Sequence, residues 1–527
     1  MLCFSGIRRP VSPIAAGQHC VIGCVSVLGA AEHARRRVLV VSDDAGLGNL
    51  TVMLTRLEIR GFKNLLDVQV DFGPFTCIAG ANGMGKSNVF DAIEFLSYLA
   101  TDPLFEASQR VRSASGMRGG DPRDLFWDGY RDHERHIWFA AEMIVPAEVE
   151  DDLGAPAVPT TTFLRYELEL GYSAPEGDSS VGRLSLHREE LRHINRGDAP
   201  KHLRFPHSAR NFRNTVVLGQ RRGGAFLSTG ERDGATVINV HGDGGSFGKP
   251  QPRGAGRAGR TVLSTVTTND YPTILAARRE MQSWHRLALE PSALRAPDGF
   301  SDPRSMETNG RHLAATLYRI ASEAPPGAEH PESEAVYAQV ADRLSDLSGV
   351  DVESLRVEPD RVREVFTLFL RERSGLQLPA RALSEGTLRF LALCVLLEDP
   401  TFTGLVCMEE PENGIHPANL PAMVQLVHDL AVDPKAVPGP ENPFRQVIIN
   451  THSPGVVQLC EPADLLLAET RPYRASDGTV TTALSLLPFR NTWRAAPGAI
   501  VASKADFVPY LAAPAGAQLR LPLDIAG

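Results

Sequence analysis

Gly80-Ala81-Asn82-Gly83-Met84-Gly85-Lys86-Ser87 is the stretch that decides the fold. It matches GxxxxGK[ST] in full, and its surroundings are the ones that pattern needs. Phe75–Ala79 in front is a short apolar run and predicts a buried strand ending at Gly80. Behind it, Val89, Phe90, Ile93, Leu96 and Leu99 recur at helical spacing. Glycines in a strand-to-helix turn let backbone N–H groups curl around a polyphosphate, and the helix N-terminus adds a favourable dipole. The candidate phosphate-binding residues are therefore Gly80, Asn82, Gly83, Gly85, Lys86 and Ser87. Lys86 can reach β- and γ-phosphates, and the Ser87 hydroxyl is a candidate Mg2+ ligand. A Gly-rich turn without function is the plain alternative, and the strand–loop–helix context argues against it.

Three further motifs lie far downstream. Gly404–Met408 is apolar and delivers Glu409 and Glu410 to the C-terminal end of a strand, the edge of an α/β sheet where ligands bind. Glu409 is the candidate Mg2+ ligand, directly or through water, and Glu410 the group that polarises an attacking water. An apolar run followed by two acids is common, so this motif gains weight only from its neighbours. Ser384 and Gly386, in Leu383-Ser384-Glu385-Gly386-Thr387, open an apolar helix 25 residues before Glu409. A Ser and a Gly at a helix start form a second anion cradle, or else a simple N-cap. His452, in Asn450-Thr451-His452-Ser453-Pro454, follows another buried strand, where an imidazole can sense a terminal phosphate. A lone His is more often structural; its place after the other three motifs reverses that.

In this order the four motifs resemble the ABC-type ATPases of the SMC/RecF-like group. The wording LSEGTLRFLAL, EEPENGIHP and INTHSP is most similar to stand-alone AAA-family ATP-binding proteins (AAA_21 and overcoming-lysogenization-defect-like) of bacterial defence systems. The resemblance covers about 53–100 and 375–470 well, and the middle only through Trp284–Arg295 and Asn309–Leu317. It implies an α/β fold: a P-loop ATPase head with a mixed, mainly parallel sheet flanked by helices, plus an antiparallel sheet and a large helical or loop insertion. It also implies ATP and Mg2+ as ligands and a homodimer that sandwiches two ATPs. Lys86 and Ser87 of one copy would then be completed by Ser384 and Gly386 of the other. Glu410 and His452 would be catalytic. The chain departs from the family pattern at Glu409, where Asp is usual, and at His416, where the loop after the acid pair commonly has Asp. No glutamine can be assigned to the position that usually follows the first helix.

Composition sets the outer limits. With 527 residues and 43% hydrophobic content, the chain can build two lobes around sizeable cores. The expected layout is an extension over 1–52, a first ATPase lobe over 53–200, a basic insertion or lid over 201–340, a second lobe over 341–495 and a tail over 496–527. Residues 1–52 show no clean period, and Met53 is a candidate natural start. The net charge is −9, but residues 201–260 hold eleven Lys and Arg against three acids. That segment is +8 and leaves −17 elsewhere, a local basic arm that could meet DNA. Weak patterning predicts loops over 195–265, and 273–295 and 310–322 are expected to be helical. Seven cysteines without CxxC spacing predict a reducing, cytoplasmic setting rather than zinc or disulfides. No apolar run reaches the roughly 18 residues of a membrane span.

The 298 residues from Lys86 to Ser384 are too many for a compact transporter ATPase. Two functions remain. One is a defence ATPase that gates a separate nuclease or other effector chain, since only about 75 residues follow His452 and no DxD is among them. The other is a DNA-binding ATPase of recombination and repair.

Overall fold

The computed structural model describes residues 53–111, 121–128, 135–173, 182–221, 223–244, 250–323, 333–474, 478–498, 500–503 and 506. The extension 1–52, most of the tail, Arg222 and Lys249 lie outside these residues.

Two sheets organise the described chain. The first has six strands in the order His285–Leu287, Gly404–Glu409, Arg445–Thr451, Phe75–Ala79, Leu465–Arg474 and Val480–Pro488. Its first five strands run parallel, and only the last is antiparallel. Phe75–Ala79 and Arg445–Thr451 are buried at every position. That is the pattern of strands covered on both faces, and it explains their continuous apolar runs. Helices Leu313–Ser322, Glu385–Glu398 and Leu420–Asp429 share a core with this sheet through Cys77, Val406, Ile449 and Leu391.

The second sheet has eight antiparallel strands, from Gln251–Gly254 at one edge to Val68–Asp71 at the other. Its strands alternate, as Phe163–Ser173 does with Leu164, Tyr166, Leu168 and Leu170 inward. Helices Lys86–Leu99 and Pro272–Gln282 close that core. Gln446 ties the two sheets together. Its buried amide donates to Leu54 O (2.8 Å) and Gly73 O (2.9 Å) and accepts from Leu54 N (2.9 Å). Removing it would strand buried backbone groups, at about 1–3 kcal/mol each.

Two expectations need correcting. The span 195–265 is not loop throughout. Leu227–Arg232 and Ala235–Val240 form a hairpin that extends the antiparallel sheet, with Gln251–Gly254 as its edge. The turn residues Asp233 (φ 53°) and Gly234 (φ 75°) both adopt positive φ, as a two-residue hairpin turn demands. The helix expected over 273–295 ends at Gln282, and the short strand His285–Leu287 follows. A three-residue strand has no periodicity to read; pairing with Val406–Met408 defines it. The third sheet, with Val352–Asp360 paired to Val365–Glu372, was also not anticipated. Cys77, Cys394, Cys407 and Cys460 are free thiols. Among the described residues no helix is long and apolar enough to cross a membrane.

Candidate functional site

The site lies at the C-terminal ends of three adjacent parallel strands. Ala79 pairs with Thr451, and Asn450 pairs with Glu409, so the starts of the phosphate loop, the acid pair and the histidine turn stand side by side. Gly83 (φ 81°) and Gly85 (φ 97°) adopt the left-handed backbone of the loop. At Gly85 a Cβ would also stand 2.2 Å from the Asn64 amide. Asn64 braces the turn from outside. Its Nδ2 donates to Met84 O (3.0 Å), and its Oδ1 accepts from Asn88 Nδ2 (2.6 Å). Lys86 is buried, and its Nζ donates to Gly80 O (2.6 Å) and Ala81 O (3.0 Å). Burial lowers its pKa, against the opposing pull of Glu410, Glu409 and Glu412. Asn82 is exposed and Ser87, in the first turn of the helix, is half-buried.

Glu410 carries a strained backbone, with φ 45° in a non-glycine residue. Such conformers cost on the order of 1–3 kcal/mol and persist where surrounding contacts enforce them. Here its N–H reaches both Asn450 O (3.0 Å) and Asn450 Oδ1 (3.2 Å). The twist aims the carboxylate at His452, whose Nδ1 lies 2.7 Å from Oε1, while Asn413 donates to Oε2 at 2.9 Å. Burial alone would raise the Glu410 pKa, but Asn413 and His452, with the charge of Lys86, hold it below the usual carboxylate range.

Glu409 ends its strand with Oε2 held by Arg286 Nη2 at 3.0 Å. Its other oxygen, Oε1, is buried and has no hydrogen-bond partner among the described residues. An orphaned carboxylate oxygen beside a phosphate loop fits a Mg2+ shell, so the donor set present suits that ion.

Ser384 and Gly386 form a separate cradle. Ser384 is exposed and caps the helix Glu385–Glu398, accepting from Thr387 N at 3.1 Å. A Cβ on Gly386 would come within 3.2 Å of Gly414 O, in the loop that follows the acid pair. Among the described residues no hydrogen bond joins Ser384 or Gly386 to the phosphate loop of their own chain. His416 caps the turn Pro417–Asn419, accepting from Ala418 N at 3.2 Å, a role an Asp side chain also fills.

The basic segment is partly consumed internally. Arg204 pairs with Asp71 (2.6 Å), Lys201 with Asp198 (2.9 Å), and Arg221 lies over the Phe226 ring. Arg253, Arg257 and Arg260 remain exposed around the Gln251–Gly254 edge, although Arg260 also donates to Thr101 O at 2.6 Å. Sequence reasoning missed Asn64, Asn413, Asn450 and Arg286. Asn413 and Asn450 lie inside the quoted motif segments without an assigned role, and no local pattern marks Asn64.

Residues 271–458 match the AAA_21 family, described as "AAA domain, putative AbiEii toxin, Type IV TA system", and residues 56–123 match AAA_23, an AAA domain. Among curated proteins, the DNA replication and repair protein RecF of Phocaeicola vulgatus is 41% identical over 64 residues, 12% of this chain and 17% of the relative. The RecF of Parabacteroides distasonis is 38% identical over 63 residues, with the same coverage. The chromosome partition protein Smc of Halothermothrix orenii is 34% identical over 85 residues, 16% of this chain and 6% of that one. The chain thus spans about a sixth of the RecF relatives' length. Among solved structures, the Smc head domain of Pyrococcus furiosus, with an extended coiled coil and bound to the C-terminal domain of ScpA, aligns with 82% of this chain and 96% of that one. Its TM-score is 0.39 at 12% identity. Motif order and the two family matches agree in likening the chain to the ABC-type ATPases of the SMC/RecF-like group. The AAA_21 match runs from residue 271 to 458 and so takes in the signature, the acid pair and the histidine turn.

Proposed function

We propose that this chain binds ATP with Mg2+ and hydrolyses it as a nucleotide-driven homodimeric switch. The observation that carries the reading is the Glu410–His452 pair, set beside the phosphate loop by parallel strand register. Asn82, Gly83 and Gly85 offer backbone N–H groups to the phosphates, Gly80 starts the turn with its own N–H donated to Thr451 O (3.1 Å), and Lys86 contributes the fixed cation. The ionised Glu410 carboxylate orients the attacking water and accepts its proton. His452 holds Glu410 through Nδ1, which leaves Nε2 to contact the terminal phosphate. Ser87 and Glu409 would hold Mg2+, which would supply positive charge against the phosphate oxygens. Exposed Ser384 and half-buried Gly386, which among the described residues make no hydrogen bond to their own chain's phosphate loop, complete the site of a second copy.

For the output we infer gating of a separate effector chain, a nuclease, in bacterial anti-phage defence within the cytoplasm. The description of the AAA_21 family as a toxin–antitoxin component supports this. The second reading, a RecF-like DNA-binding ATPase of repair or recombination, is favoured by the exposed guanidinium groups of Arg253 and Arg257.

Light scattering of the full chain with ATP and Mg2+ tests the switch. Glu410→Gln keeps ATP binding, slows turnover by roughly 10²–10⁴ and accumulates the dimer. Ser384→Arg binds ATP and stays monomeric. Wild-type turnover in the first variant would refute the role given to Glu410, and ATP-dependent dimers in the second would refute the composite site.

A further inference from the structure

Arg286 belongs to none of the motifs that define the site, yet it touches the site from three sides. It lies on the edge strand His285–Leu287, paired in parallel with Val406–Met408. Its guanidinium reaches Glu409 Oε2 at 3.0 Å, Asp91 Oδ1 at 3.4 Å and Glu94 Oε2 at 3.7 Å. Asp91 is fully buried, and both Asp91 and Glu94 sit on the helix that begins at Lys86. One planar cation therefore links the phosphate-loop helix to the end of the acid-pair strand.

We propose that Arg286 is a positioning residue for the metal half of this site: it clamps Glu409 by Oε2, so that Oε1 is presented to Mg2+. The inference rests on the ATP–Mg2+ reading above. Two observations carry it. Glu409 has one oxygen engaged by Arg286 and the other buried without a partner among the described residues, a division of labour that frees a single lone-pair face for a metal shell. Glu409 is also longer by one methylene than the Asp usual at this position. A shorter side chain would withdraw its carboxylate by about 1.5 Å, one carbon–carbon bond, and lose the 3.0 Å contact. The departure from Asp and the presence of Arg286 are thus complementary. Lysine does not replace this arrangement, because only a guanidinium fork bridges two carboxylates in fixed geometry.

The test is equilibrium binding of a fluorescent ATP analogue to the full chain, titrated with Mg2+ and repeated in EDTA. The proteins are wild type, Arg286→Gln, Arg286→Lys, Glu409→Gln and the Arg286→Gln/Glu409→Gln double variant. Loss of an outer-shell partner weakens metal binding by roughly 10- to 100-fold. Arg286→Gln is therefore expected to raise the Mg2+ half-saturation by that factor while metal-free nucleotide binding keeps its wild-type value. Arg286→Lys, which retains charge without the fork, falls between and carries the test if the Gln variant does not fold. In the Glu409→Gln background, removal of Arg286 adds no further shift. An unchanged or lowered Mg2+ half-saturation overturns the proposal, as does an equal shift in both backgrounds, the mark of a merely structural bridge. Wild-type protein that binds no nucleotide sinks the ATP reading itself; normal binding with unmoved metal dependence sinks the Arg286 role alone.

Discussion

The six-stranded and eight-stranded sheets of this chain solve different problems with similar material. In the parallel sheet, the central strands are buried on both faces, and the polar residues of the site collect at their C-terminal ends: Glu409, Glu410, Asn450 and His452, with Arg445 and Gln446 at the opposite end spent on the fold. In the antiparallel sheet, polar groups are spread along the strands and neutralise one another locally, as Arg165 does with Glu58, Glu142 and Glu167. The contrast teaches where charge is kept for a ligand and where it is spent on the fold. Lys86 folds onto loop carbonyls with no ion pair, whereas Arg165 is saturated with carboxylates.

Lys86→Ala breaks the comparison hardest. Truncating one partner of a buried, charged contact costs about 2–5 kcal/mol, so ATP affinity should fall by roughly 30-fold to a few thousand-fold. Folding should be nearly untouched, because among the described residues the Lys86 ammonium bonds to Gly80 and Ala81 of its own loop alone. Calorimetric titration with ATP and thermal melting of the same sample check both halves. A large loss of melting temperature would mean that the loop charge serves the fold.

Glu189 makes the reverse test inside the antiparallel sheet. It is fully buried and accepts from Val262 N, Leu263 N and Tyr166 OH. Burial pushes its pKa up to about 7 against those three donors. The folded state therefore holds a proton that the unfolded chain releases above about 4.5. Its contribution to stability is present below that pH and is lost as pH rises through about 7. The full swing is on the order of 1–3 kcal/mol. Glu189→Gln should flatten this part of the stability profile in urea unfolding between pH 4.5 and 7.5. It should also lower stability at pH 5, since one acceptor oxygen becomes an NH2 group facing a backbone donor. ATP affinity should not move.

How much of this was legible follows from the same contrast. Strands buried on both faces read directly as apolar runs, and the chemistry sits just past their ends, so the phosphate loop, acid pair and histidine turn could be quoted from the sequence. The two-residue spacing of Phe163–Ser173 was legible for the same reason of burial. The hairpin over 227–240 was missed because its outer face is solvated and its alternation weak, although Asp233-Gly234 between short runs was a usable sign. Arg286 could not be found by any local rule. Its strand is three residues long and its partners, Asp91 and Glu409, stand about 200 residues before and about 120 after it, brought together only by sheet order.

The smallest effect concerns the edge of the antiparallel sheet, where the comparison is least secure. Arg253 on the last strand, and Arg257 and Arg260 beyond it, are exposed, unlike the paired arginines behind them. If they are kept for a ligand, the ligand is a polyanion, and each phosphate contact contributes about 0.9 to the slope of log affinity against log salt. Replacing all three by Gln should flatten the slope for duplex DNA by about 2 to 3, with little change between DNA sequences. Arg260 should contribute least, since its guanidinium already donates to Thr101 O. Fluorescence anisotropy at several salt concentrations reads the slope, and ATP turnover with and without DNA shows whether the edge communicates with the loop. An unchanged slope would assign these arginines to ordinary solvation. The antiparallel sheet would then be scaffold throughout, and a polyanion would have to be sought elsewhere on the chain.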